Sequence, residues 1–139
     1  MRTLLTQTFR LMCHMCPLQV LQLGANKIGD PGLTALASAC ASGALAQCQM
    51  LYLHENQIGD AGLSALADAC GRGALAQLKY LHLNGNQISD AGLSAFASAC
   101  AGGALAHLGN LYLSGDSISN KTKDTMRTAM SKNGGSVYF

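Results

Sequence analysis

The sequence predicts an α/β protein built from stacked repeats, and two observations carry that prediction. Residues 18–47, 48–77 and 78–107 are three copies of one 30-residue phrase, matching at 19 of 30 positions between the first and second copies and at 18 between the second and third. A period of roughly 20 to 50 residues marks units that stack on one another because none can bury its own hydrophobic face. Within each copy the apolar spacing changes from two to between three and four, the change expected of a strand that leads into a helix.

Taken in order, residues 1–17 come first and do not follow the repeat in register. Leu5, Phe9 and Met12 are spaced for a helix that covers the first strand. The segment reads either as a degenerate N-terminal cap helix or as the trace of a longer array, of which this chain is a structural fragment. Leu21 and Leu23, Leu51 and Leu53, Leu81 and Leu83, and Leu111 and Leu113 then alternate with polar or aromatic residues, so each pair marks a short strand with one inward face. Asp30, Asp60 and Asp90 follow at the place of a helix N-cap, where a carboxylate accepts from free N–H groups of the first turn. Pro31 fits the first helical position, where its missing N–H costs nothing. Leu63, Leu66, Ala67 and Cys70 fall on one helical face, and Gly43, Gly73 and the Gly102–Gly103 pair end the helices. A fourth, partial copy spans 108–119. In residues 121–139, Thr122, Met126, Ala129 and Met130 line the inner face of a C-terminal cap helix, with Lys121, Lys123, Arg127 and Lys132 outside, and the final "SVYF" offers a short closing strand. Four strands and about four helices are expected from the repeats.

The phrase L-x-x-L-x-L-x-x-N-x-I appears as "LQVLQLGANKI" at 18–28 and "LKYLHLNGNQI" at 78–88, and Cys48 replaces the first leucine in "CQMLYLHENQI". This pattern resembles the leucine-rich repeat, and the following "GDAGLSALADAC" is similar to the ribonuclease-inhibitor-like class found in NOD-like receptors and Ran GTPase-activating proteins. The resemblance covers residues 18 to about 120 and implies a right-handed solenoid with a parallel sheet on the concave face and helices on the convex face. It also implies that Asn26, Asn56 and Asn86 sit inside the turns and bond backbone groups of their own and adjacent repeats. Asp116 stands where the fourth asparagine would be. An ionised carboxylate accepts but does not donate such bonds, which puts this turn near the end of the stack.

Composition narrows the function. The net charge is +2, yet residues 28–120 hold six acids and only two bases, or −4, so no Lys/Arg track for a nucleic-acid backbone is expected. No apolar run is long enough for a membrane span, and Thr6, Gln7, Thr8 and Arg10 interrupt any secretory core. The acid-free first 29 residues have some transit-peptide character, but the expected location is cytoplasmic. Cys40, Cys70 and Cys100 repeat on the inward helix stripe and are too far apart to bridge, so they read as small buried hydrophobes. The "CHMC" at 13–16 has no second pair, and reduced thiols throughout fit an intracellular chain without a bound metal or cofactor.

The letters that vary between copies sit in and just after the strands. Between the inward leucines, side chains point to the open face and form three rows: Val20, Met50, Tyr80, Asn110; Gln22, Tyr52, His82, Tyr112; and Gly24, His54, Asn84, Ser114. Tyrosine offers a large contact area with a polar tip, so this concave face is expected to hold a protein partner, with no nucleic acid or membrane involved. Tyr52, Tyr80, His82 and Tyr112 are expected to supply most of the contact energy, with His54, Asn84 and Asn110 tuning hydrogen bonds. The plainer reading is that these rows only stabilise the sheet. A zinc site at His54 and His82 lacks further ligands, because Glu55 should point away. Asp30, Asp60 and Asp90 recur once per repeat as structural residues, so no enzyme is expected. Two alternatives stay open: GTPase regulation, which comes from the resemblance alone, and self-association of a structural fragment through exposed solenoid ends.

Overall fold

The computed structural model describes residues 18–114 and 117–139. Strands and helices alternate as β1 (Val20–Gln22), α1 (Gly29–Ala41), β2 (Met50–Tyr52), α2 (Asp60–Gly71), β3 (Tyr80–His82), α3 (Asp90–Ala101), β4 (Asn110–Tyr112), α4 (Asn120–Ser131) and β5 (Ser136–Tyr138). The five strands form one parallel sheet in sequence order. Leu21, Leu51, Leu81, Leu111 and Val137 make one row across it, and the residues on either side make two more. Five strands exceed the four expected from the repeats because "SVYF" completes the sheet. Asn110 pairs with Ser136, 26 residues on, where earlier rungs are 30 apart. The expected N-terminal cap and the reading of Asp116 fall outside the described residues.

The core lies between the sheet and a single layer of helices. Leu51, Leu81 and Leu111 from the strands meet Leu63, Leu66, Leu93 and Phe96 from the helices, all within 1% of full burial. Cys48 takes its leucine's place with no exposed surface. On the cap helix, Thr122, Met126, Ala129 and Met130 are the buried residues, as the spacing predicts. Each helix of the three full repeats ends in a Schellman turn: for α1, Gly43 N–H donates to Cys40 C=O at 3.0 Å and Ala44 N–H to Ala39 C=O at 3.0 Å. Gly43, Gly73 and Gly103 adopt the left-handed conformation that this turn requires. Leu45, Leu75 and Leu105 also have positive φ, a strain of about 1 kcal/mol. Burying each leucine side chain contributes roughly 1.5–3 kcal/mol and more than offsets it.

Two polar ladders hold the repeats in register, and they run in opposite directions. The first uses the asparagines. Asn56 Oδ1 accepts from Asn26 N–H at 2.8 Å and from Ile28 N–H at 3.4 Å, while Asn56 Nδ2 donates to Leu23 C=O at 2.7 Å and His54 C=O at 3.1 Å. Asn86 repeats the pattern one rung later with Asn56 N–H, Ile58 N–H, Leu53 C=O and Leu83 C=O. Each asparagine thus ties its own turn to the turn before it. Asn26 donates to Gly24 C=O at 3.2 Å from an exposed position.

The aspartates reach forward instead, which corrects the expectation that they cap their own helices. Asp60 and Asp90 are the first residues of α2 and α3, the flanking Gly59 and Ser89 make no side-chain cap, and α1 already begins at Gly29. Pro31 is therefore the third residue of α1 and not the first, though its N–H would still have no partner within the helix. Asp30 Oδ1 accepts from Gly59 N–H at 2.7 Å and Gly62 N–H at 3.0 Å, so it caps the helix of the next repeat. Asp60 accepts from Ser89 N–H at 2.8 Å and from the Ser89 hydroxyl, and Asp90 accepts from Ser119 N–H at 2.7 Å. The reason is steric as much as electrostatic. A β-carbon at residue 62 would lie 2.6 Å from Asp30 Oδ1, and one at residue 92 would lie 2.5 Å from Asp60 Oδ1. The glycine in each "DAG" leaves room for the carboxylate that arrives from the preceding repeat. Burial alone would raise the Asp60 pKa, but the bonds from Ser89 and Gly92 outweigh it and hold the carboxyl below its ordinary range.

Candidate functional site

The sheet face turned away from the helices presents the variable residues in three rows. The strand pairing places Val20, Met50, Tyr80, Asn110 and Ser136 in one row and Gln22, Tyr52, His82, Tyr112 and Tyr138 in the next. His54, Asn84 and Ser114 follow immediately after their strands. Tyr52, His54, Tyr80, His82, Asn84, Asn110 and Tyr112 are all half-buried, whereas the leucines between them are buried. Strand alternation by itself sends these residues to the open face, and the structure brings them together there.

The second row is a continuous stack of rings. Tyr52 and His82 lie 4.5 Å apart between centroids at 24°, His82 and Tyr112 lie 4.3 Å apart at 14°, and Tyr112 and Tyr138 lie 4.9 Å apart at 14°. Parallel strands are spaced about 4.8 Å apart, which brings in-register aromatic residues within stacking distance. The interior rings bury their faces against one another and offer outward edges, with Tyr hydroxyls and the imidazole of His82 as polar tips. Burial, with the nearby His54 as a second cause, holds the His82 pKa below the ordinary histidine value.

Tyr138 is the residue that sequence reasoning missed. It falls outside the 30-residue register, and its signal was the x-L-x pattern continued as "SVY", with Val137 in the leucine place. At 48% exposure it ends the stack with one face open.

His54 is placed by a glycine. A β-carbon at Gly24 would overlap the His54 ring, so the imidazole lies over the preceding repeat and meets Tyr52 edge-on at 6.4 Å. Glu55 turns the other way, with its side chain over Gly85. Among the described residues, no three His, Cys, Asp or Glu side chains are gathered to hold a metal ion. Cys40, Cys70 and Cys100 are buried and unbridged on the far side of the core. Burial pushes the thiols of Cys40 and Cys100 up to about 11 and that of Cys70 up to about 12, with neighbouring thiols adding to the shifts of Cys40 and Cys70. No helix among the described residues is long and apolar enough to cross a membrane.

Comparison with known proteins agrees with this geometry. A leucine-rich-repeat family profile matches residues 14–37, 51–67 and 76–97. No curated protein sequence matches the chain at a significant level. Among solved structures, the leiomodin-1 actin-binding site 2 superposes with a TM-score of 0.72 over 96% of this chain and 78% of that one, at 15% identity. At that identity the likeness concerns the fold: an α/β leucine-rich-repeat solenoid with its parallel sheet on the concave side.

Proposed function

We propose that this leucine-rich-repeat solenoid is a non-enzymatic protein-interaction module that holds a protein partner on its concave sheet. The observation that carries the reading is the ring stack Tyr52–His82–Tyr112–Tyr138 beside the Met50, Tyr80, Asn110 row. Together they form a half-buried surface with no Lys, Arg, Asp or Glu on the five strands. Rigid aromatic side chains already held in place lose little entropy when a partner binds, and they dominate protein interfaces for that reason. His54 over Gly24 and His82 between two tyrosines are held as contact surface, not as a base beside a nucleophile.

The likeness to an actin-binding site supports the class of activity, a protein held by such a solenoid, and does not carry actin over to this chain. Helices of 12 or 13 residues in every full repeat support the ribonuclease-inhibitor-like class. The unbridged buried cysteines fit a reducing, cytoplasmic setting.

The test is capture of partners on the immobilised chain, compared with a Tyr52→Ala, Tyr112→Ala double variant whose fold is checked by circular dichroism. Aromatic anchors of this kind contribute about 1–2 kcal/mol each, so a specific partner should bind the double variant at least tenfold more weakly. Unchanged capture refutes the concave-face assignment.

A further inference from the structure

We propose a second docking surface on the convex side: the groove between α3 and α4 receives an extended acidic segment of a partner protein. The groove is about 650 Å³ and is walled by Ala97, Ser98 and Ala101 on α3 and by Lys121, Thr125, Thr128 and Lys132 on and just after α4. It is independent of the concave rows, which lie on the other face of the core.

Charge argues for the occupant. Residues 120–132 carry four bases, Lys121, Lys123, Arg127 and Lys132, against one acid, Asp124. Arg127 engages that acid at 2.9 Å and rests over the Phe139 ring at 5.1 Å, with Lys123 Nζ over the same ring at 5.4 Å. Lys123 and Arg127 are thus drawn toward Phe139, whereas Lys121 and Lys132 line the groove. Eleven residues of helix separate them, about 16 Å at 1.5 Å per residue. Ala97, Ala101 and Ala129 form a shallow apolar floor between them.

Two lysines about 16 Å apart along the helix, each on a flexible stem, match two carboxylates four residues apart on one face of an extended strand, about 13 Å at 3.3 Å per residue. A small apolar side chain between the two carboxylates fits the alanine floor. Asp124 stands in the same wall, paired with Arg127, so a segment that is charged only at its two ends and neutral between them fits better than a continuous phosphate track that would set several charges against it. A lipid surface needs protruding apolar residues, and the exposed residues of α4 are Asn120, Lys121, Asp124, Thr125, Arg127, Thr128 and Ser131.

The test uses the whole chain, isotopically labelled, titrated in an NMR tube with the pentapeptide Glu-Val-Ala-Val-Glu, whose two Glu and central Ala share one face when extended, at low salt. Amide shifts should concentrate at Ala97, Ser98, Ala101, Thr125 and Thr128. The same peptide with both Glu replaced by Gln, or a Lys121→Glu, Lys132→Glu variant of the chain, should bind at least tenfold more weakly. Raising the salt should weaken the parent pair. The proposal is overturned if no shifts develop, if they map to the concave strands, or if the charge-reversed chain binds equally well. It is overturned equally if single-stranded RNA or anionic phospholipid vesicles shift the same amides and the peptide does not.

Discussion

Replacing Asn56 with alanine should loosen the joint between the first and second repeats and leave the later joints intact. The Asn56 side chain is fully buried and bonds four backbone groups, three of them at 2.7–3.1 Å and Ile28 N–H at 3.4 Å. Counting about 1 kcal/mol for each of the three short bonds gives a loss of about 3 kcal/mol. At roughly 3 °C per kcal/mol for a chain of this size, Tm should fall by about 10 °C. Urea denaturation followed by circular dichroism measures the loss. Hydrogen exchange locates it: residues 18–47 should exchange faster, while β3, β4 and their helices keep their protection. Asn56→Asp should fall at least as far, because a buried carboxylate accepts but leaves the carbonyls of Leu23 and His54 without a donor. Asn26→Ala is the control, since that side chain is exposed and its bond to Gly24 C=O is long; its cost should stay below about 0.5 kcal/mol. Equal losses at positions 26 and 56 would refute the reasoning, because they would show that the repeated letter and not its cross-repeat bonding sets the energy.

Other consequences can be measured on the same material. Asp60→Ala should cost about 1 kcal/mol, at the low end for a cap because the site is partly exposed to water. The folded-state pKa of Asp60 is depressed, so its contribution is complete above the unfolded value of about 4 and is lost as pH falls through the folded value. Wild type and variant should therefore converge in stability on acidification, and a constant gap down to the acid transition would count against the bond. Cys40, Cys70 and Cys100, buried and with raised pKa values, should resist a thiol reagent in the native chain at pH 8 and react on unfolding, as read by mass spectrometry. Gly24→Ala should displace the His54 ring without unfolding the sheet. The His54 and Tyr52 ring resonances should shift while those of Tyr112 do not, and an unmoved His54 signal would disprove the close approach.

The division between what was legible and what was not follows particular residues. The strand and helix of each repeat, the inward leucines, the inner face of α4 and the outward placing of Tyr52, Tyr80, His82 and Tyr112 could all be read from spacing. Each depends on a period of two or of about 3.6 within one element, and such periods are local. The role of the aspartates was misread because Asp30 and Asp60 stand beside their own helix in sequence but act on groups 29 to 32 residues later. Tyr138 escaped because the last turn is four residues short of the repeat.

Sequence alone determined the unit and which of its faces is buried, since each copy must bury a strand and a helix stripe against its neighbours. Tertiary structure decided what passes between copies: asparagines reaching back, aspartates reaching forward through the gap left by a glycine, and four rings closing into one stack. Those contacts form between residues that only the stacking of repeats brings within 5 Å, the spacing of neighbouring strands and of the rings they carry.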